Sequence, residues 1–315
     1  MKKISILIPA FDEEPVLEKL FVRLANLANE VKNYEFEFLF INDGSRDKTL
    51  AVLKDYAERD DRVAYVSFSR NFGKEIAMIA GLDHVTGDAT VIIDADLQDP
   101  PELIPKMIKL WEQGYDDVYA KRRSRAGESW LKKFTSTMYY RTLQKLSKVP
   151  IQEDTGDFRL LDRRVVEALK EFRESERNTK AMFSWVGFNK KELLYDRDPR
   201  AAGTTSFNYF KLINLAVDGI TSFTTAPLRI STALGFIVSI ITFIYLVVLV
   251  IRTIFFGSDL GGYPSTMAVI LFLGGVQLLS LGIIGEYVGR IFNETKHRPL
   301  YIVQEYHARA RKKTR

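Results

Sequence analysis

The stretch VIIDADLQDPPE, residues 91–102, runs an apolar segment straight into Asp94, Asp96 and Asp99. Carboxylates this close repel one another unless a positive charge lies among them. If the chain stays extended past Ile93, the two-residue period turns Asp94, Asp96 and Gln98 toward one side. Two carboxylates and an amide carbonyl are hard oxygen donors, a set that suits Mg²⁺ or Mn²⁺, and a cation there would relieve the repulsion. The other reading is a solvated acidic turn leading into a helix from Pro100 to Trp111. That turn suits Asp99, which is followed by two prolines and Glu102. A bare DxD arises by chance in a chain of this size, so its weight depends on where it falls.

Two further apolar segments end in the same manner. Ile4–Ile8 leads into Pro9, Phe11, Asp12 and Glu13, and Phe36–Ile41 leads into Asn42, Asp43, Gly44 and Ser45. These segments, with Ala64–Phe68, Thr90–Ile93 and Asp117–Ala120, read as strands, and helical periodicity fills the gaps between them. In VLEKLFVRLANL, Val16, Leu20, Leu24 and Leu27 share one face, and DKTLAVLKDY opens on an Asp suited to capping. Alternating strands and helices predict an α/β fold with a mostly parallel sheet and helices on both faces. Ligands of such sheets bind beyond the carboxyl ends of the strands, where the acids and amides lie.

The chain has 315 residues, no cysteine and a net charge of +5, with a pI near 9.1. The lack of cysteine excludes disulfides and thiolate metal sites. Ile230–Ile251 and Ser265–Gly285 carry no charge over 22 and 21 residues, each long enough to cross about 30 Å of hydrocarbon. Residues 296–315 hold seven Lys or Arg against one Glu, whereas the loop between the apolar runs holds a single Arg. The positive-inside rule therefore puts this tail, and with two spans the long N-terminal part, in the cytoplasm at the inner (plasma) membrane. Basic residues beside a span are accounted for by topology and lipid headgroups, so a nucleic-acid partner is not expected.

Taken in order, IPAFDEE, INDGSRD, SRNFGKEIAMIAGLDHVTGD, VIIDADLQDPPELIPKMI, GYDDVYAKRRSR and TGDFRLLDRRV resemble the motifs of family 2 glycosyltransferases of the GT-A fold. The likeness is greatest to the branch related to dolichyl-phosphate mannose synthase, and within it to bacterial bactoprenol glucosyltransferases with two C-terminal spans. The resemblance implies a UDP-sugar donor, a polyprenyl phosphate acceptor such as undecaprenyl phosphate, inversion at the anomeric carbon, a divalent cation and a homo-oligomer. Residue by residue, it implies that Pro9, Ala10, Phe11 and Glu13 line the nucleotide pocket and that Asp43 contacts the uridine. Asp94 and Asp96, with Gln98, would hold Mg²⁺ or Mn²⁺ on the diphosphate, and Lys74 would lie near the same pocket. Asp157 matches the candidate base. An acceptor phosphate is already anionic, so Asp157 can equally be an orienting group.

A phosphate acceptor calls for cations, and KRRSRAGESWLKKF and RDPRAAGTTSF supply them, with Arg122 and Arg200 as the expected phosphate ligands. In WLKKFTSTMYYRTLQKL, Leu131, Phe134 and Met138 share a face with basic residues around them, and in NYFKLINLAVDGITSF, Phe210, Ile213, Val217 and Ile220 recur at helical spacing, as in helices lying on a bilayer, with core packing under the sheet as the other reading. The expected organisation is a catalytic domain over 1–205, an interfacial helix over 206–228, a transmembrane hairpin over 229–290 with spans near 230–251 and 265–285, and a basic tail over 291–315. Glucose is the expected sugar. Mannose, an N-acetylhexosamine or an aminoarabinose derivative is the alternative, followed by a processive polysaccharide synthase or a non-catalytic nucleotide-sugar-binding scaffold. The missing QxxRW after TGDF and the small number of spans argue against processivity.

Overall fold

Near-continuous apolar runs form buried parallel strands, as strands covered on both faces require. In the computed structural model, which describes residues 1–123, 155–175, 179–196, 226–256 and 262–309, β1 (Lys2–Ala10), β2 (Tyr34–Asn42), β3 (Val63–Phe68) and β4 (Ala89–Ile92) stand in the order β4-β1-β2-β3, all parallel. Successive residues face opposite sides. Ile4, Ile6, Ile8, Phe36, Phe38 and Phe40 enter one apolar cluster, and Leu7, Leu39 and Ile41 enter the other. α1 (Glu14–Glu30), α2 (Thr49–Arg59) and α4 (Ile104–Glu112) add their apolar residues to the first cluster. α3 (Lys74–His84), α5 (Arg163–Lys170) and α6 (Thr179–Trp185) add theirs to the second. On α1 the expected Val16, Leu20, Leu24 and Leu27 are buried, and Leu17 and Ala28 widen the stripe.

The outer strands depart from the parallel pattern. β6 (Thr155–Asp162) runs antiparallel to both β4 and β5 (Asp117–Arg122), and β7 (Lys190–Tyr195) runs parallel to β5. At the other edge β8 (Val303–His307) pairs antiparallel with β3. β8 comes from the segment read as a basic tail. It is fastened by the Tyr65 hydroxyl donating to Glu305 at 2.5 Å, by Lys54 on Glu305 at 2.7 Å and by stacking of Tyr301 on Phe68. An otherwise open sheet edge is thereby covered. The alternation of VQEYH is too polar to announce a strand from sequence.

The described chain divides into two compact units: residues from Met1 through the described part of the sheet domain together with those from Pro299 onward, and the hairpin up to Arg298. The hairpin consists of α7 (Ala226–Phe256) and α8 (Tyr263–Thr295), each longer than the roughly 20 residues a bilayer crossing needs. Leu228–Leu249 and Phe272–Thr295 are long and apolar enough to cross a membrane, and neither stretch is buried within the chain. Phe243 and Leu278 are 66% and 72% exposed, unlike residues of a helix that owes its apolar character to a protein core. The expected interfacial helix over 206–228, apart from the first residues of α7, lies outside the described residues. So do the WLKKF segment and Arg200.

The acidic stretch also differs from its expected form. The chain does not stay extended after Ile93: it turns at Ala95–Asp96, Leu97 takes a left-handed φ of 60°, and the Gln98 N–H closes onto Asp96 Oδ1 at 3.1 Å. Even so, Asp94, Asp96 and Gln98 are partly exposed while Ala95, Leu97 and Asp99 are buried. Asp99 is no solvated cap. It is 2% exposed and accepts the Tyr195 hydroxyl at 2.5 Å, and a 3-10 turn at Pro101–Leu103 begins the way into α4 without a side-chain cap.

Candidate active site

Strand register decides which residues meet at the rim. Ala10 pairs with Asn42, so β1 and β2 end level, and the Asp43 N–H donates to the Ala10 carbonyl at 2.9 Å. The segments that follow are stitched together. The Asp12 N–H donates to Ser45 Oγ at 3.0 Å, Asp12 Oδ1 accepts the Arg46 N–H at 2.7 Å, and the Glu13 N–H donates to Thr49 Oγ1 at 3.0 Å. Asp47 receives the N–H groups of Thr49 and Glu14 at 2.9 and 3.1 Å, so the expected capping Asp serves both helix starts. Within this frame Pro9 and Ala10 are buried, Glu13 is half-buried and Phe11 is 39% exposed at the rim.

Asp43 is buried, and its two oxygens accept the N–H groups of Phe72 and Gly73 at 2.6 and 2.9 Å. Burial pushes its carboxyl above the usual carboxylate range, against the pull of those two donors and of Arg70. The loop before α3 is thus held onto the end of β2. Gly44 permits this closeness: its φ is +65°, and a Cβ there would lie 2.3 Å from the Arg70 carbonyl carbon. Gly44→Ala is expected to cost about 2 kcal/mol or more of stability, since both the left-handed backbone and the contact oppose a side chain. Thermal unfolding would show it, and an unchanged midpoint would contradict this account.

Antiparallel pairing brings in the remaining acid. Ile92 of β4 lies opposite Arg159 of β6, so Asp94, two residues past Ile92, reaches the same point as Asp157, two residues before Arg159. Lys74, the first residue of α3, sits between them. Its Nζ lies 2.6 and 2.7 Å from the two Asp94 oxygens and 2.5 Å from Asp157 Oδ2. The Lys74 side chain is 44% exposed, so it is not sealed in the core. Burial opposes the charge on its ammonium, but the adjacent carboxylates of Asp94 and Asp157 outweigh that and hold it well above the ordinary lysine range. An ammonium at a helix N-terminus faces the unfavourable end of the helix dipole, and two carboxylates offset it.

Asp94, Asp157 and Lys74, which lie far apart in the chain, therefore form one cluster, with Asp96 and Gln98 on the adjoining turn. Arg122 ends β5, where it pairs in register with Tyr195 of β7. Tyr195 escaped the sequence reading because KKELLY carries no clear strand alternation. Among the described residues no group of three or more His, Cys, Asp or Glu side chains is arranged to hold a metal.

Residues 5–170 match the glycosyl transferase family 2 profile, and residues 226–291 match the GtrB C-terminal hairpin. The chain belongs to glycosyltransferase family 2. This glycosyltransferase is 50% identical over 303 residues to an uncharacterised glycosyltransferase of Synechocystis, covering 96% of this chain and 95% of that one. It is 47% identical over 302 residues to the bactoprenol glucosyl transferase of Shigella phage SfX, covering 96% of this chain and 99% of the phage protein. Among solved structures, mannosyl-3-phosphoglycerate synthase of Rubrobacter xylanophilus is similar with a TM-score of 0.49 and 17% identity, over 70% of this chain and 72% of that one. The mixed sheet, the apolar hairpin and the family together define a GT-A-type glycosyltransferase with two candidate membrane helices.

Proposed function

We propose that this glycosyltransferase moves one glucose from UDP-glucose to a polyprenyl phosphate, such as undecaprenyl phosphate, at the cytoplasmic face of the membrane. The observation that carries the reading is the meeting of Asp94 with Asp157 across β4 and β6, in a chain whose 47% identical relative is named a bactoprenol glucosyl transferase. In the proposed reaction a phosphate oxygen of the acceptor attacks the anomeric carbon from the face opposite the diphosphate. The carbon–oxygen bond to the UDP β-phosphate breaks as the new one forms, which inverts the centre and releases UDP. The attacking oxygen is already anionic, so Asp157 orients the reacting groups and no proton needs to be removed.

Asp94 and Asp96 fit a divalent cation. Both are partly exposed hard-oxygen donors on one turn, and Asp94 already receives a cation in the form of the Lys74 ammonium. Two carboxylates are also what Mg²⁺ and Mn²⁺ commonly take from a protein when substrate phosphates complete the shell. Bound there with Gln98 nearby, the ion would supply charge stabilisation to the departing diphosphate. Pro9, Ala10, Phe11, Glu13 and Asp43 shape the nucleotide side of the rim, and Lys74 serves the diphosphate. Arg122 receives the acceptor phosphate, and Arg200 is assigned the same role from sequence alone.

The fold also bears on topology. The sheet domain contains both the N-terminal strands and β8, which follows the hairpin. A bilayer cannot divide one folded sheet, so the hairpin crosses an even number of times. Because the native chain has no cysteine, Ser258→Cys and Thr314→Cys can be labelled singly in sealed vesicles. Residue 258 is expected to react from the outer side and residue 314 from the cytoplasmic side, and the reverse would overturn the orientation. The activity itself is tested by incubating the purified protein with radiolabelled UDP-sugars, polyprenyl phosphate and Mg²⁺ or Mn²⁺. Lipid-linked glucose that disappears with EDTA is the expected product. No lipid-linked sugar from any donor would refute the function, and undiminished product with EDTA would refute the metal.

A further inference from the structure

Tyr195 stands where three parts of the site converge. It is 4% exposed at the end of β7, and its hydroxyl donates to Asp99 Oδ1 at 2.5 Å. Asp99 closes the turn that carries Asp94 and Asp96. The edge of the Tyr195 ring meets Phe158, the neighbour of Asp157, at a centroid distance of 6.3 Å. Its strand partner in register is Arg122, so the two side chains project from neighbouring positions on the same face of the sheet. The Arg122 Nε is buried with no hydrogen-bond partner among the described residues. A tyrosine required only for packing needs no charged neighbours, and a phenylalanine would fill the same space.

We infer that Tyr195 is a positioning residue that, anchored by Asp99, fixes the Arg122 guanidinium for the acceptor phosphate. The inference rests on the reading of Arg122 as an acceptor ligand. Asp99 accepts the phenol proton, which leaves the phenol oxygen's lone pairs for the guanidinium. That arrangement fixes the fork of Arg122 while leaving donors to receive a phosphate. Neither hydrogen bond draws on the groups that face the diphosphate, so the link acts on acceptor binding and not on donor binding.

The test uses the full-length protein in detergent with UDP-glucose and a polyprenyl phosphate of defined length. Tyr195→Phe is expected to raise the acceptor KM about fivefold, the effect of losing one ordinary hydrogen bond's worth of positioning. The donor KM should stay close to wild type, while the thermal midpoint falls by a few degrees because buried Asp99 loses a donor. Asp99→Asn keeps the shape and an acceptor oxygen, so it should show the same split at a smaller amplitude. The decisive comparison is the double variant: if Tyr195 acts through Arg122, adding Tyr195→Phe to Arg122→Ala raises the acceptor KM no further. Multiplying effects in the double variant, or parallel rises in both KM values, overturn the link while leaving the Arg122 reading intact. An unchanged acceptor KM in Arg122→Ala refutes that reading, and the link with it.

Discussion

Asp96→Asn is expected to lower kcat/KM by about a thousandfold, the scale of losing a principal stabiliser of developing charge, with little effect on the fold. The substitution separates charge from shape. Asp96 Oδ1 accepts the Gln98 N–H at 3.1 Å, and an asparagine carbonyl can take that hydrogen bond, so the turn at Leu97 persists while the carboxylate is lost. Asp94→Asn should match it in activity for a different local reason, since there the neutral amide also releases Lys74 from one of its two partners. The Asp94 side chain is 21% exposed, and ion pairs near the surface contribute at most about 1 kcal/mol, so its thermal midpoint should move by no more than a few degrees. Binding of Mn²⁺ in the presence of UDP, followed by the loss of its electron-spin signal, should weaken in both variants. Near-native turnover in either, or native Mn²⁺ binding with turnover lost, would remove these residues from the metal site.

What the sequence disclosed and what it hid follow from distance along the chain. The parallel strands were legible because each is covered on both faces and must be apolar throughout, as Ile4–Ile8 and Phe36–Ile41 are. β5 was legible too, but β6 was not, because its interior carries a charged residue whose partners are remote. Arg159 is fully buried in the middle of β6, paired with Asp117 at 3.0 Å and lying 3.7 Å over the Phe183 ring. In a linear reading FRLLDRR looks like a charged surface. Without β6 only the family resemblance linked Asp157 to Asp94, and nothing in the residues themselves showed that they would arrive opposite each other. The acids at each strand end could be named one by one, whereas their convergence depends on an antiparallel register between segments about sixty residues apart. The alternation of Asp94, Asp96 and Gln98 was anticipated by the wrong mechanism: the extended chain gave way to a turn, yet the burial pattern survived because Ala95 and Leu97 still seek the core.

Lys74 illustrates the same point, and it carries the second large effect. By itself a lysine opening a helix is most simply a solvated charge, and only the family resemblance put Lys74 near the nucleotide pocket; here its ammonium touches both Asp94 and Asp157. Lys74→Met retains the apolar stem and removes the ammonium that bridges the two carboxylates. If the ammonium passes to the diphosphate when the donor binds, the donor KM should rise roughly tenfold or more, the value of a charge-assisted hydrogen bond to phosphate. Turnover should also fall as Asp157 loses its fixed position. Lys74→Arg keeps the charge, but its wider planar fork does not fit between two carboxylates that share one point charge, so it should recover donor affinity better than turnover. A split of this kind separates the two roles of the residue. Were Lys74→Met to lose turnover with the donor KM unchanged, the lysine would serve Asp157 alone and the diphosphate would depend on Asp94, Asp96 and their cation. Were both constants unchanged, the bridge between the two acids would have no part in transfer.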